Sequence, residues 1–483
     1  MIGSLLPAAL GAQAFRARID ASTQRVTYRG LVADSIARAL AVDDGSGSYF
    51  SPDGFRLRCS TDSQCYFFRP GALIRAMPAM ASGALTAWGF GVPGLSLRAS
   101  GRVATDFGAD EAVPTIGPFA QLLEGYLEFQ RKDLRLRGGR QLIASRLEPI
   151  GFDGAAASMR FPDRAAEVGA YAGWGLDRAS ILPVTDPALD PLDEWRPRRR
   201  QVVAGLEGAW SHRYLDLRAE YRREVDPEDH HFVSERSTVS ATGNWRDLRT
   251  TAGVDYNHVE GRFGSSDLTV TYVRREHALS AGVRRYRPYF SLWTLWGAFS
   301  PVGYDAQFAT AQVAATPWFS LRGRAEHFAF DDAEISTGLV PALRDDGWRL
   351  SAGASARLPR HVTIDGSVTL DRGPGASSHS AELGVDLAPI ERVALSLHAG
   401  VLHRPLELRY FDAADRWLGA RVEWAMRDDR RLWAEVSTIG QERRRPDAGG
   451  TRYDQVRLRA GIALTLGNSA DRAPLPPAVR PMR

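Results

Sequence analysis

The stretch Tyr453-Asp-Gln-Val-Arg-Leu-Arg-Ala-Gly-Ile-Ala-Leu-Thr-Leu466 decides the fold. Val456, Leu458, Ala460, Ile462, Leu464 and Leu466 fall on one face, and Gln455, Arg457, Arg459, Gly461, Ala463 and Thr465 on the other. Successive side chains of a strand point to opposite faces, so this period of two gives a continuous apolar face backed by a charged one. A soluble sheet could carry one such strand. Here the pattern returns from Gly94 onward, as in Val362, Ile364, Val368 and Leu370 against Thr363, Asp365, Ser367, Thr369 and Asp371. About twenty segments of this kind can be drawn, the first over 94–105 and the last over 453–466, with eighteen as the lower count.

The connections order these segments. Tight ones (Arg131-Lys132, Arg246, Arg275-Glu276, Pro359-Arg360, Asp428-Asp429) alternate with long ones (106–118, 177–200, 288–303, 331–346, 404–415, 443–452). Barrels of the outer membrane have short turns at one end and long loops at the other, and strands of about ten residues cross the bilayer at a tilt. The expectation is an all-β fold: a transmembrane antiparallel barrel over 83–466 with a short N-terminal extension, in the bacterial outer membrane.

Composition agrees. With 24% charged residues and a mean hydropathy of −0.26, the 483-residue chain is too polar for a bundle of membrane helices. A barrel gives no such signal, because half of each strand faces water. The net charge of +4 is spread in both signs along the chain, which does not favour a nucleic-acid patch. The charge-free run from Pro78 to Leu97 has the length of a membrane helix, but Pro78, Pro93 and its glycines favour a bent strand.

Residues 1–14 read as a partial signal peptide ending in Ala12-Gln-Ala14. Residues 15–82 read as a periplasmic or plug segment holding a hairpin, with Cys59 and Cys65 as a disulfide across its ends. Residues 467–483, rich in proline and charge, read as a disordered periplasmic tail.

The last strand resembles the signal that barrel-assembly machinery reads in outer-membrane proteins, met here by Arg459, Gly461, Leu464 and Leu466. That signal commonly ends the chain on an aromatic residue, whereas Leu466 is followed by the tail. A second resemblance, to alginate-export-type porins, lies in Leu122-Leu-Glu-Gly-Tyr-Leu-Glu128, Gly139-Arg-Gln141 and Gly151-Phe-Asp-Gly-Ala155. It implies a large porin of that general kind with an arginine-lined lumen, and it does not imply alginate as the solute.

The polar faces supply the candidate pore lining: Arg135, Arg137, Arg140, Arg218, Glu220, Arg322, Arg324, Glu326, Arg349, Arg357, Asp365, Arg421, Glu423, Arg457 and Arg459. Opposed acidic and basic walls would orient a small polar or anionic solute, and the same charges could equally pair across strands and stiffen the wall. The implied function is a passive, porin-like channel and not an enzyme, with no cofactor and no metal. Its partners are outer-membrane lipid, the assembly machinery and small solutes, with no nucleic acid. Two rivals are a hydrolase at the barrel rim, using the 224–232 loop with its Asp226-Pro-Glu-Asp-His-His231, and a scaffold barrel anchoring a partner protein. The aromatic run from Tyr286 to Phe299 reads as a loop folded into the pore.

Overall fold

The computed structural model describes residues 14–43, 45, 49–59, 63–108, 120–147, 150–176, 201–225, 227, 232–287, 303–331, 346–359, 361–373, 377–404, 413–443 and 453–467. Its strands are β1 (Ala14–Ala37), β2 (Val42–Asp43), β3 (Tyr49–Phe50), β4 (Arg56–Cys59), β5 (Gln64–Ala76), β6 (Pro78–Trp88), β7 (Leu95–Asp106), β8 (Ala120–Arg131), β9 (Leu134–Ile143), β10 (Ile150–Phe161), β11 (Ala166–Gly175), β12 (Val202–His212) and β13 (Leu215–Val225). Then come β14 (Phe232–Trp245), β15 (Leu248–Asn257), β16 (Arg262–Arg274), β17 (His277–Tyr286), β18 (Tyr304–Thr316), β19 (Phe319–Phe330), β20 (Asp346–Leu358), β21 (Val362–Arg372), β22 (Ser378–Ile390), β23 (Val393–Arg404), β24 (Ala413–Arg427), β25 (Arg430–Arg443) and β26 (Tyr453–Gly467).

From β6 to β26 each strand pairs antiparallel with the next, and β1 pairs with both β6 and β26. The wall therefore closes on itself as a barrel of 22 strands. Closure leaves no sheet edge to be satisfied by lipid, which has no hydrogen bonds to offer. Alternate positions along the strands carry exposed Leu, Val and Trp side chains, such as Leu134 and Leu136, Val239, Leu321, Leu350, Leu418 and Leu458. These define the convex face.

The count exceeds the expected twenty by β1 and β6. On β1 the convex face is Ala17, Ile19, Ala21 and Thr23, and on β6 it is Ala79, Ala81, Gly83, Leu85 and Ala87. Small residues carry little hydropathy contrast, so the alternation is faint there. The charge-free run from Pro78 forms β6, a turn over Gly89–Gly94 and the start of β7. No helix among the described residues is long and apolar enough to cross a membrane.

The N-terminal segment expected over 15–82 is thereby redrawn. Arg16 to Arg25 pair with β26 in the wall, and only beyond Arg25 does β1 leave it to pair with β5. Ala14 and Gly467 meet at the end of the barrel that bears the short turns, so this ribbon extends the wall at the opposite end, where the long connections lie. Its head has a small core of Leu57, Cys65 and Phe67, with Phe55 stacked on Phe67 at 5.8 Å. The Cys59–Cys65 disulfide ties β4 to β5 beside that core. Arg69 donates to Asp34 across the β1–β5 pair, and the Asp34 carboxyl is held below its usual range first by the Ser35 amide and then by that guanidinium. Replacing both cysteines by alanine is expected to loosen the head by about 2 kcal/mol, as loop-closure entropy gives for so short a loop. Proteolysis should then cut between β2 and β5 while the barrel's heat-shift on a gel stays unchanged.

Several short turns place a non-glycine residue in the left-handed region: Lys132 (φ 49°), Arg246 (φ 54°) and Arg275 (φ 55°). Two-residue hairpins favour such turns because their twist matches that of the flanking strands. A side chain pays about 1 kcal/mol for that conformation, which glycine avoids. Arg275→Gly is expected to raise stability by roughly 0.5–1 kcal/mol in urea unfolding.

Candidate functional site

The concave face is the one opposite the exposed apolar side chains, and long polar side chains meet there across an intervening strand. Tyr171 on β11 donates to Glu220 on β13 at 3.0 Å, and Arg284 on β17 reaches Glu326 on β19 at 2.5 Å. Two constellations stand on this face.

The first is built around the connection between β9 and β10. Instead of rising from the rim, Ser145, Arg146 and Leu147 lie against the concave wall. The Arg146 guanidinium reaches Asp255 on β15 (2.7 Å) and Asp267 on β16 (2.5 Å). Asp255 also accepts from Thr238 on β14 at 2.6 Å. A Cβ on Gly253 would overlap the Arg146 guanidinium, so only glycine at that position leaves room for it. Burial opposes the charge on Arg146, but the two carboxylates outweigh it and raise its pKa further. Beneath the connection, Arg222 on β13 is fully buried. It donates to the Leu147 carbonyl (3.1 Å), Ser145 Oγ (2.8 Å), Glu220 (2.9 Å) and Tyr171 Oη (3.2 Å). Tyr171 stacks on Phe152 at 5.4 Å, with Ile150 and Val203 completing an apolar cluster next to the polar one. A buried guanidinium is tolerable only when its donors are satisfied, and here four acceptors do so.

The second constellation spans β17 to β21. Glu326 has no exposed surface and receives Arg284, Arg324 and Arg349 (3.1 Å). Arg349 also approaches Asp371 at 3.4 Å and lies over the Phe328 ring at 4.5 Å, while Arg284 lies 5.5 Å from the Tyr304 centroid. Three guanidiniums against two carboxylates, Glu326 and Asp371, leave one positive charge in excess at this station. A third, smaller network joins Arg421, Glu423, Arg431 and Glu435, with Arg421 over Trp433 at 4.5 Å.

The fifteen residues expected to line a pore divide as follows. Arg135, Arg137, Arg218, Glu220, Arg322, Arg324, Glu326, Arg349, Arg357, Asp365, Arg421, Glu423, Arg457 and Arg459 all alternate with the exposed apolar positions of their strands and fall on the concave face. Arg140 does not: it shares the parity of Leu134, Leu136 and Leu142 on the convex side. There it makes a two-point ion pair with Asp153 (2.7 and 2.9 Å) and donates to the Leu122 carbonyl. The Gly139-Arg-Gln141 and Phe152-Asp-Gly154 motifs are in fact cross-strand partners, Gly139 opposite Gly154, Arg140 opposite Asp153 and Gln141 opposite Phe152. Gln141 donates to the Gly154 carbonyl at 3.1 Å. Together they frame the root of the inward connection.

The chain is similar to several solved structures. It aligns over 94% of its length with 98% of OccAB4 from Acinetobacter baumannii (8% identity, TM-score 0.41). It aligns over 94% with 99% of a BenF-like porin from Pseudomonas fluorescens Pf-5 (10% identity, TM-score 0.42), and over 93% with 99% of the outer membrane protein opdK from Pseudomonas aeruginosa (10% identity, TM-score 0.39). No family model matches the sequence, and no curated protein matches it.

Arg146, Arg222, Arg284, Asp255 and Asp267 escaped the sequence reading as site residues. For Arg222 and Arg284 the signal was present, since each stands on the polar face of an alternating strand. Among aromatic residues near strand ends, Trp210, Tyr214, Trp245 and Trp318 are exposed at the short-turn end and Trp348 at the other. Trp417 instead turns inward over Gly400. The side chain of Tyr453, most of the 224–232 connection with its two histidines, and all but the first two residues of the aromatic run from Tyr286 lie outside the described residues.

Proposed function

We propose that this protein is a channel of the bacterial outer membrane that passes small polar or anionic solutes passively through an arginine-rich lumen. The even strand number puts Ala14 and Gly467 at one end, and the short turns there assign that end to the periplasm, with the ribbon and long connections facing outward. The observation that carries the reading is the excess of guanidinium over carboxylate at Glu326, held inside a closed wall whose outside is apolar. Guanidiniums kept in place by a shared carboxylate and by aromatic rings present fixed positive charge to a passing solute.

The test is conductance of the refolded full-length protein in a planar bilayer under a salt gradient. Steady channels with a reversal potential favouring anions are expected. Arg324→Gln with Arg349→Gln should lower the anion-to-cation preference several-fold. Silence from a barrel that shows its heat-shift on a gel would end the channel reading and leave a scaffold role.

A further inference from the structure

On the convex face, the guanidiniums near the long-connection end are mostly neutralised. Arg140 is held by Asp153, and Arg285 by Asp331 at 3.1 Å. The exception is the stretch of wall from β21 to β24. There the convex positions near the strand ends include Arg372 (last residue of β21), His379 (second of β22), His403 (next to last of β23) and Arg416 (fourth of β24, one convex position in from Ala414). All four share the parity of exposed apolar neighbours on their own strands: Val368, Leu383, Val401 and Leu418. His379 and His403 are direct cross-strand partners with ring centroids 4.6 Å apart. Trp348 stands opposite Arg372 on β20 and is half exposed. Among the described residues no carboxylate engages Arg372 or Arg416, and no acidic residue takes a convex position between them.

A charged side chain on the lipid side of a barrel is costly at mid-depth and nearly free of cost at the interface. Unpaired arginines flanked by a tryptophan therefore mark the headgroup level. At that level the complementary charge is phosphate, which guanidinium binds in two-point fashion. Strands lie about 4.8 Å apart and rise about 3.3 Å per residue, and the register offsets Arg416 from Arg372 by four residues along the strands, so the two arginines stand about 20 Å apart with the histidine pair between them. That spread suits a headgroup with more than one phosphate.

We infer that Arg372, His379, His403 and Arg416 form a binding site for a phosphorylated lipid of the outer leaflet. The inference rests on the outer-membrane reading, and its test separates the two. Full-length protein in detergent is offered bisphosphorylated lipid A, or the same lipid with its phosphates removed, and bound lipid is counted by native mass spectrometry. The wild type should retain the bisphosphorylated lipid, and R372Q/R416Q should retain it at least tenfold less. H379A/H403A should fall between them. Equal retention by wild type and R372Q/R416Q, or equal retention of the lipid with and without phosphates, would overturn the site. Displacement of the lipid by millimolar inorganic phosphate would likewise overturn it, as the mark of an ion site only. Conductance of R372Q/R416Q is read alongside. Native conductance with lost lipid retention supports the site and shows that the variant folds. Wild-type silence with phosphate-dependent retention supports the site while removing the channel.

Discussion

Gly461→Leu is expected to destabilise the barrel by at least about 3 kcal/mol, the upper end for overpacking, and to leave much of the chain without its heat-shift on a gel. Gly461 lies on the concave face of β26, directly opposite Ser22 across the seam that β26 makes with β1. A Cβ there would meet Cε2, Cζ2 and Nε1 of the Trp433 indole at 2.6 Å. The indole cannot swing clear cheaply, because the Arg421 guanidinium lies over its ring at 4.5 Å. The ring thus closes over the gap that glycine leaves, an aromatic-over-glycine packing that keeps a strand pair regular where no side chain covers the backbone. Gly205 under Tyr171 and Gly282 under Phe308 repeat it elsewhere in the wall. Two further variants decide whether the collision is the cause. Gly461→Leu with Trp433→Ala should recover most of the loss. Gly208→Leu, at a convex position where a Cβ meets nothing within 4 Å, should unfold in urea as the native protein does. A native urea profile for Gly461→Leu alone would show that Trp433 yields freely.

That contrast bears on what the sequence can and cannot reveal. The alternation in β26, β13 or β21 is readable because Leu and Val oppose Arg, Asp and Thr at a strict period of two, and lipid outside against water inside enforces that contrast. It fades in β6, whose concave residues Met80, Ser82, Ala84 and Thr86 carry no charge. It is present but muted in β1, where alanines face outward. Arg140 was readable in principle: it stands an even number of residues from Leu136 and Leu142, and so belongs with them and not with Arg135 and Arg137. The inward connection was not readable. Ala144-Ser-Arg-Leu-Glu-Pro149 has the composition of any surface loop. What draws it inward is the pairing of Arg146 with Asp255, 109 residues away in the chain, and local pattern carries no trace of such a contact.

The same pairing supports the second large effect. Arg222→Ala is expected to free the Ser145–Leu147 connection from the wall, raising single-channel conductance and its noise while the barrel stays folded. The substitution removes four donations at once and leaves Glu220 buried beside Tyr171 without its cation. Breaking a buried pair from one side costs about 3–5 kcal/mol, because the surviving charge keeps its desolvation penalty. The cost falls on the connection, since the backbone ladder that joins β13 to β12 and β14 involves no side chain. Arg146→Ala should act more mildly. It removes two ion pairs, but Asp255 keeps its hydrogen bond from Thr238, and both carboxylates are partly exposed. Its expected signature is a shift of ion preference toward cations, as two carboxylates lose their counter-charge, with little added noise. The double change Arg222→Met with Glu220→Leu discriminates between a lost charge pair and a lost anchor. It removes the stranded charge without restoring the donations to Ser145 and Leu147. Quiet channels from it would assign the noise to the uncompensated Glu220, whereas noise as great as in Arg222→Ala would assign it to the freed connection. Conductance of Arg222→Ala indistinguishable from the native channel would mean that the connection does not narrow the path that ions take.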